Sequence, residues 1–406
     1  MADLELKPYL ISFSVTARCD LSCPHCFMDA GSSQEELGFE EIERILTEVA
    51  RFSPYSMLIL TGGEPLLRKD IYSLVELASR LGFVTVLGTS GRFLSKDAAE
   101  RLSERGLKGV SVSVDSVSPG YHDSFRGSPG SWERALEALR ISRELGIDTQ
   151  MNVTLTDQNA DQVEELVELG VELRVRAVNF FFIVCTGRAA RSFISVETYG
   201  ELLRKIAELS LREKRLIVRA RCAPHAFRFF PQEGIPVGGG TRGCPAGRFY
   251  VRIDHQGVLY PCPYLPVSAG SLRESTFETL WRNSPLLLKL RGEDYEGRCG
   301  ICRYRLICGG CRARALTETG NLMGSDPLCD YEPVASEDPL PPPEPEKDGA
   351  ELRWTPEALE RIERIPFFLK RIIVSLIEKR AREEGQDTVT PEFLERVRRA
   401  FHDGDS

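Results

Sequence analysis

No run of about 18 apolar residues occurs in the 406-residue chain, so no membrane-spanning helix is expected. No block of Lys or Arg occurs, and no basic patch interleaved with aromatics. With 52 basic against 60 acidic residues the net charge is −8. That balance argues against a phosphate-backbone partner, and no nucleic acid is expected. The start, MADLELKPYLISFSV, has no basic segment leading into an apolar one. Export is therefore not expected, and a cytoplasmic location is. Cysteine is the residue the chain has in plenty, at twelve. Disulfides are rare in a reducing compartment, so grouped cysteines there point to metal. Three lie near the N-terminus and seven between Cys244 and Cys329, while Cys185 and Cys222 stand apart.

From residue 10 to about 210 apolar runs alternate with amphipathic stretches. YLISFSV, MLILT, FVTVLG, VSVSV, TQMNVTL and VNFFFIV read as strands, each followed by a helical pattern such as FEEIERILTEVARF. Six strand–helix units imply parallel strands with crossover helices, in a doubly wound sheet or a barrel. The cysteine loop follows the first strand, TGGEP the second, and SVDS ends the fourth. Loops at the carboxyl ends of barrel strands carry chemistry, so the three features predict one site at one mouth. From 222 to 333 cysteine, glycine, proline and arginine rise, as in a segment held by metal. A proline- and acid-rich linker over 334–350 should be extended. Beyond it, Thr355–Pro356 and Thr390–Pro391 read as helix starts and Gly385 as a helix stop. They predict a three-helix module over 351–402.

Cys19, Cys23 and Cys26 have the spacing CxxxCxxC. Three thiolates can hold three irons of a cubic cluster and leave the fourth open. A zinc site completed by His25 or a distant residue is the alternative on spacing alone. Gly62 and Gly63, lacking side chains, would let backbone approach a ligand closely.

CxxxCxxC after strand one, with GGEP after strand two, resembles the radical S-adenosylmethionine (AdoMet) superfamily over residues 8–215. The resemblance implies a partial (β/α)6 barrel of TIM type over 1–215. It implies a [4Fe–4S] cluster on Cys19, Cys23 and Cys26 whose open iron chelates AdoMet. It further implies His25 near the adenine, Gly62, Gly63 and Glu64 at the methionyl amino group, Ser113 near the ribose and carboxylate, and Arg134 as a candidate for that carboxylate. A reduced cluster would cleave the sulfonium to a 5′-deoxyadenosyl radical, which abstracts hydrogen from an unactivated carbon. A flavodoxin or ferredoxin would supply the electron.

Cys244, Cys262, Cys299, Cys302, Cys308, Cys311 and Cys329 follow in the order of the SPASM extension of that superfamily. The resemblance implies one or two auxiliary [4Fe–4S] clusters over 222–333. Cys299, Cys302, Cys308 and Cys329 would hold one. Cys244, Cys262 and Cys311 would hold part of another, with Cys222 as the eighth ligand or the site left open. Only Gly309 and Gly310 separate Cys308 from Cys311, one residue fewer than the family pattern. Cys185 reads as a small buried hydrophobe and His225 as a hydrogen-bonded structural residue.

The cysteine-rich segment, with TGRAAR at 186–191, resembles the haem d1 and alternative haem branch, whose members trim carboxylate side chains of iron tetrapyrroles. The C-terminal stretch resembles a domain of protochlorophyllide reductase subunits over 354–400, on Trp354, Pro366, Phe367, Arg371, Glu378 and Ala381. These resemblances imply an iron-tetrapyrrole substrate, with Arg188, Arg248 and Arg312 as partners for its carboxylates. A peptide-modifying maturase and a non-catalytic iron–sulfur electron carrier are the alternatives.

Overall fold

The computed structural model describes residues 6–31, 35–189, 194–229, 243–334, 337–341, 352–363, 374, 377–378, 380–382 and 384–403. Six parallel strands lie side by side in chain order: β1 (Leu10–Thr16), β2 (Met57–Gly62), β3 (Val84–Thr89), β4 (Gly109–Ser113), β5 (Asp148–Leu155) and β6 (Ala177–Phe182). Between them run α1 (Phe39–Phe52), α2 (Ile71–Arg80), α3 (Lys96–Glu104), α4 (Pro119–Arg126), α5 (Ser131–Glu144) and α6 (Val163–Glu172). Ile42, Ile45, Leu46 and Val49 of α1 recur at helical spacing and are buried against the sheet.

The strands alternate, with a period of two. Ile11, Phe13, Leu58, Leu60, Val110, Val112, Met151, Val153, Val178 and Phe180 are buried in the core the helices cover. The register sets Ser14 beside Thr61, Ser113 beside Asn152, and Asn152 beside Asn179 on the other face. That face lines the lumen, and it is polar.

The sheet extends past the six strands. β7 (Ile217–Arg221) pairs parallel with β6, and β8 (Tyr250–Ile253) pairs parallel with the free side of β1. β9 (Val258–Tyr260) and β10 (Gly270–Ser271) continue that edge antiparallel, giving the order β10-β9-β8-β1-β2-β3-β4-β5-β6-β7. The cysteine-rich segment thus contributes strands to the sheet of the barrel. One compact unit comprises Met1–Ile235 and Arg242–Pro341. Leu340 N donates to Arg303 O at 2.7 Å and Arg303 Nη1 meets Glu337 at 3.2 Å, so the described start of the linker is fastened to this unit.

A second unit holds the C-terminal helices. Arg353–Trp354 pairs parallel with Thr388–Val389, and Ile362, Ile377, Ala381, Val389, Phe393 and Val397 form its core. Thr355 Oγ1 accepts from Ala358 N and Thr390 Oγ1 from Phe393 N, the caps expected at those starts. Trp354 Nε1 donates to Glu378 at 3.3 Å. Pro366, Phe367 and Arg371 lie outside the described residues. Among the described residues no helix is long and apolar enough to cross a membrane.

Candidate active site

The loop after β1 carries Cys23 buried and Cys19 and Cys26 half-buried. Cys26 N closes a turn on Cys23 O at 3.2 Å. Leu21 N points at Cys19 Sγ from 3.4 Å and Ala30 N at Cys26 Sγ from 3.5 Å. Glu36 anchors the start of the loop, accepting from Thr16 Oγ1 (2.5 Å), Ala17 N (2.9 Å) and Arg18 Nη2 (3.1 Å). Arg188, after β6, holds the other side: Nε donates to Cys23 O at 2.9 Å and Nη1 to Ala30 O at 2.5 Å.

Gly62 and Gly63 serve this loop directly. Gly62 has φ +147, and a side chain there would run into the Thr16 carbonyl. A Cβ on Gly63 would enter the Arg18 carbonyl and stand 2.9 Å from Cys19 Cβ. Gly63 N bonds Thr16 O and Glu64 N bonds Arg18 O at 2.9 and 2.8 Å. The close approach made by these glycines is to the cysteine loop itself.

Glu64 is fully buried and turned to β3. It accepts from Thr89 Oγ1 at 2.7 Å, Ser90 N at 2.9 Å, Ser90 Oγ at 2.7 Å and Leu66 N at 3.2 Å. Burial still raises its pKa above the usual carboxylate range, against those donors. Arg92 then bridges β3's loop to the cysteine loop, meeting Asp20 at 2.8 Å. Thr89, Ser90, Arg92 and Asp20 were not singled out from sequence. The signal was present, since TSGR follows the third strand as TGGEP follows the second.

His25 stacks on Phe125 (centroids 4.4 Å apart, planes at 9°), and Phe125 on Tyr121 at 5.6 Å. Burial, aided by the Arg126 charge, pushes the His25 pKa down to about 3, so the ring is neutral. Its Nδ1 is buried without a hydrogen-bond partner among the described residues. Beneath, Asp115 accepts from Arg126 Nε at 2.6 Å and Thr154 N at 2.8 Å. Burial would raise Asp115, but the Arg126 charge overrides it and holds the carboxyl at about 2. Ser113, two residues earlier, faces the lumen beside Asn152. Ser14 Oγ is also buried there without a partner among the described residues. Arg134 is exposed on α5, in a surface recess with Arg92, Trp132 and Arg140.

The other cysteines form two groups. Cys299, Cys302, Cys308 and Cys329 line one cavity of about 350 Å³, including its opening to solvent. Gly310 N points at Cys308 Sγ from 3.4 Å, and Arg228 and Arg312 approach Cys329 and Cys299 at 3.7 and 3.8 Å. Cys262 and Cys311 sit in a second apolar cluster against which Cys222 and Cys244 pack. Burial first, then mutual repulsion, drives the Cys311 thiol up to about 12 and raises Cys222 and Cys262 as well. A buried network separates the groups: Tyr199 Oη meets His225 Nδ1 at 2.6 Å, and Asp326 accepts from Arg314 at 2.9 Å and Cys311 N at 2.8 Å. His225 is thus hydrogen-bonded through Nδ1, while its Nε2 is buried without a hydrogen-bond partner among the described residues, beside the four-cysteine cavity. Cys185, read as a buried hydrophobe, is instead half-buried, with its thiol 3.6 Å from Glu318.

The three arginines expected at substrate carboxylates are engaged elsewhere. Arg188 holds the cysteine loop. Arg248 bonds Leu290 O and pairs with Glu293 at 2.8 Å. Arg312 bonds the carbonyls of Leu322 and Gly324 at 3.0 and 2.8 Å. Each lies near backbone carbonyls that need a donor, a demand no spacing rule reveals.

Three soft thiols on one loop, with peptide N–H groups directed at sulfur and buried orphan polar atoms beside them, suit an iron–sulfur cluster and a polar cofactor. Burial pushes Cys19 up to about 11, so metal would have to draw the thiolate out. The model of the radical SAM superfamily matches residues 13–170, and that of an iron–sulfur cluster-binding (SPASM) domain matches 244–309. The chain is 37% identical to the AdoMet-dependent heme synthase of Methanosarcina barkeri over 80% of this chain and 97% of the relative. The chain belongs to the radical SAM family of the AdoMet-dependent heme synthases.

This radical SAM protein is also 30% identical to the pre-heme d1 synthase of Dinoroseobacter shibae, over 80% of the chain and 86% of the relative. Against the PqqA peptide cyclase of Rhizobium meliloti identity is 28%, over 81% and 88%. Residues 354–398 match the model of the proto-chlorophyllide reductase 57 kD subunit. In fold it is similar to Streptococcus suis SuiB bound to S-adenosylmethionine (TM-score 0.66, 19% identity, covering 80% and 78% of the two chains). It is a radical SAM enzyme that binds a [4Fe–4S] cluster and AdoMet and carries an auxiliary iron–sulfur domain.

Proposed function

We propose that this radical SAM enzyme acts in haem-type biosynthesis, oxidatively removing carboxylate from a side chain of an iron tetrapyrrole. The observation that carries the reading is the 37% identity over 97% of an AdoMet-dependent heme synthase, against 28% for a peptide cyclase. Cys19, Cys23 and Cys26 hold the cluster whose open iron takes AdoMet, and together they supply hydrogen-atom abstraction from an unactivated carbon. Gly62 and Gly63 seat the cysteine loop on β2. Glu64 ties β2 to the Thr89–Ser90 turn and so fixes where the glycine backbone stands. The neutral His25, backed by Phe125, offers a flat apolar wall at the cofactor. Ser113 and Asn152 present hydroxyl and amide groups to the lumen; Arg134, exposed on its helix, is given no role. Cys299, Cys302, Cys308 and Cys329 hold one auxiliary cluster, and Cys222, Cys244, Cys262 and Cys311 the other. The reductant is a low-potential carrier such as flavodoxin or ferredoxin.

A propionate that loses a hydrogen atom, carbon dioxide and one electron becomes a vinyl group. The test reconstitutes the full chain anaerobically with iron and sulfide, then adds AdoMet, dithionite and iron coproporphyrin III. Mass spectrometry is expected to show loss of carbon dioxide and two hydrogens per altered side chain, with 5′-deoxyadenosine released. Deoxyadenosine release with the porphyrin unchanged would return the reading to a peptide substrate.

A further inference from the structure

Two arginines on the lumen face meet no carboxylate among the described residues. Arg219 and Arg221 are the alternate residues of β7, in register with Asn179 and Phe181 of β6. Asn179 Nδ2 donates to Gln150 Oε1 and Asn152 Oδ1 at 3.1 and 3.0 Å, and Arg221 Nε donates to Asn179 Oδ1 at 3.1 Å. That chain of amides fixes the lumen face and holds Arg221 on it, and the alternation of β7 sets Arg219 on the same face. Among the described residues Arg219 has no ion pair, and Arg221 has only the neutral amide.

Five buried arginines of this unit are matched by carboxylates: Arg68 with Asp70, Arg126 with Asp115, Arg228 with Asp330, Arg248 with Glu293 and Arg314 with Asp326, while buried Arg252 and Arg312 donate to backbone carbonyls. The groups acting on Arg219 are the like charges of Arg221 and Arg176 and the phenol of Tyr9; on Arg221 they are Tyr250, Cys222 and Tyr9. Burial, with those like charges, presses Arg219 down to about 10. A partly buried cationic pair without a counter-ion is a poor structural element and a good anion receptor. Two residues along a strand set their Cα atoms roughly 7 Å apart on one face, so two carboxylates of one molecule can be met by neighbouring side chains.

We propose that Arg219 and Arg221 bind carboxylate side chains of the substrate within the barrel lumen. The assignment rests on the tetrapyrrole reading and locates the substrate in it. Arg221 directly precedes Cys222, so a carboxylate held there lies beside the second auxiliary cysteine group.

The test measures binding of iron coproporphyrin III and of its methyl ester to the reconstituted full chain by Soret titration. The wild type should bind the acid, and the ester about tenfold to a hundredfold more weakly. The Arg219→Gln/Arg221→Gln variant should bind the acid weaker by a similar factor and no longer distinguish it from the ester. Arg219→Lys/Arg221→Lys should recover part of the difference. Iron content and thermal midpoint equal to wild type guard against misfolding, and the single Arg219→Gln variant serves where the double variant fails that check. Undiminished discrimination in the Gln variant overturns the assignment alone. No binding of the acid by the wild type overturns the tetrapyrrole reading and this assignment with it.

Discussion

Gly63 shows how little room the site leaves at a single residue. A methyl group there would stand 2.7 Å from the Arg18 carbonyl carbon and 2.9 Å from Cys19 Cβ. Backbone cannot step aside as a flexible side chain can. Gly63→Ala should cost about 1–3 kcal/mol of stability in urea unfolding and depress AdoMet cleavage by displacing Cys19. His122 makes a pH-dependent prediction. Its Nδ1 accepts from Asp115 N at 3.1 Å, and burial holds its pKa at about 4. The unfolded chain takes up that proton near pH 6.5 and the folded one does not. Stability should therefore fall as pH drops from about 6.5 to about 4, with this residue contributing about 3 kcal/mol. His122→Asn keeps an acceptor without the titration, so its urea midpoint should fall less across that window. An identical pH profile would refute the assignment.

Between elements, the cysteine loop depends on strands remote in sequence. Arg188, 165 residues from Cys23, holds that loop through backbone carbonyls. Arg188→Ala leaves those carbonyls short of a donor, at a cost of about 1–3 kcal/mol. Lower iron content after reconstitution is the expected result, and unaltered iron and thermal midpoint would contradict it. Cys222 joins the second auxiliary group from the end of β7. Cys222→Ala should reduce bound iron by about one cluster's complement, read by iron analysis, and a full complement would remove Cys222 from the ligands. The six strands were legible because each carries apolar residues for the helices and is followed by a helical pattern. The loop cysteines were legible because spacing is local. The roles of Arg188, Arg248 and Arg312 were not, because their carbonyl partners come from distant loops. Nor was β7 seen as a barrel strand, although the alternation in IVRAR carries the signal of an edge strand with a charged inner face.

Over the whole molecule, one compact unit holds all three cysteine groups. The lumen face of its barrel carries hydroxyls, amides and two arginines that meet no carboxylate among the described residues, while the apolar face is sealed by helices. That distribution suits a polar, carboxylate-bearing substrate held inside the barrel. The matches to radical SAM, SPASM and proto-chlorophyllide reductase models cover successive stretches of the chain. The central claim is that hydrogen is taken from a tetrapyrrole side chain. It is tested most directly by a single turnover with iron coproporphyrin III deuterated in its propionates, reading the mass of the 5′-deoxyadenosine released. One deuterium in the deoxyadenosine, matched by decarboxylated porphyrin, is the predicted result. Unlabelled deoxyadenosine with the porphyrin intact would contradict the account.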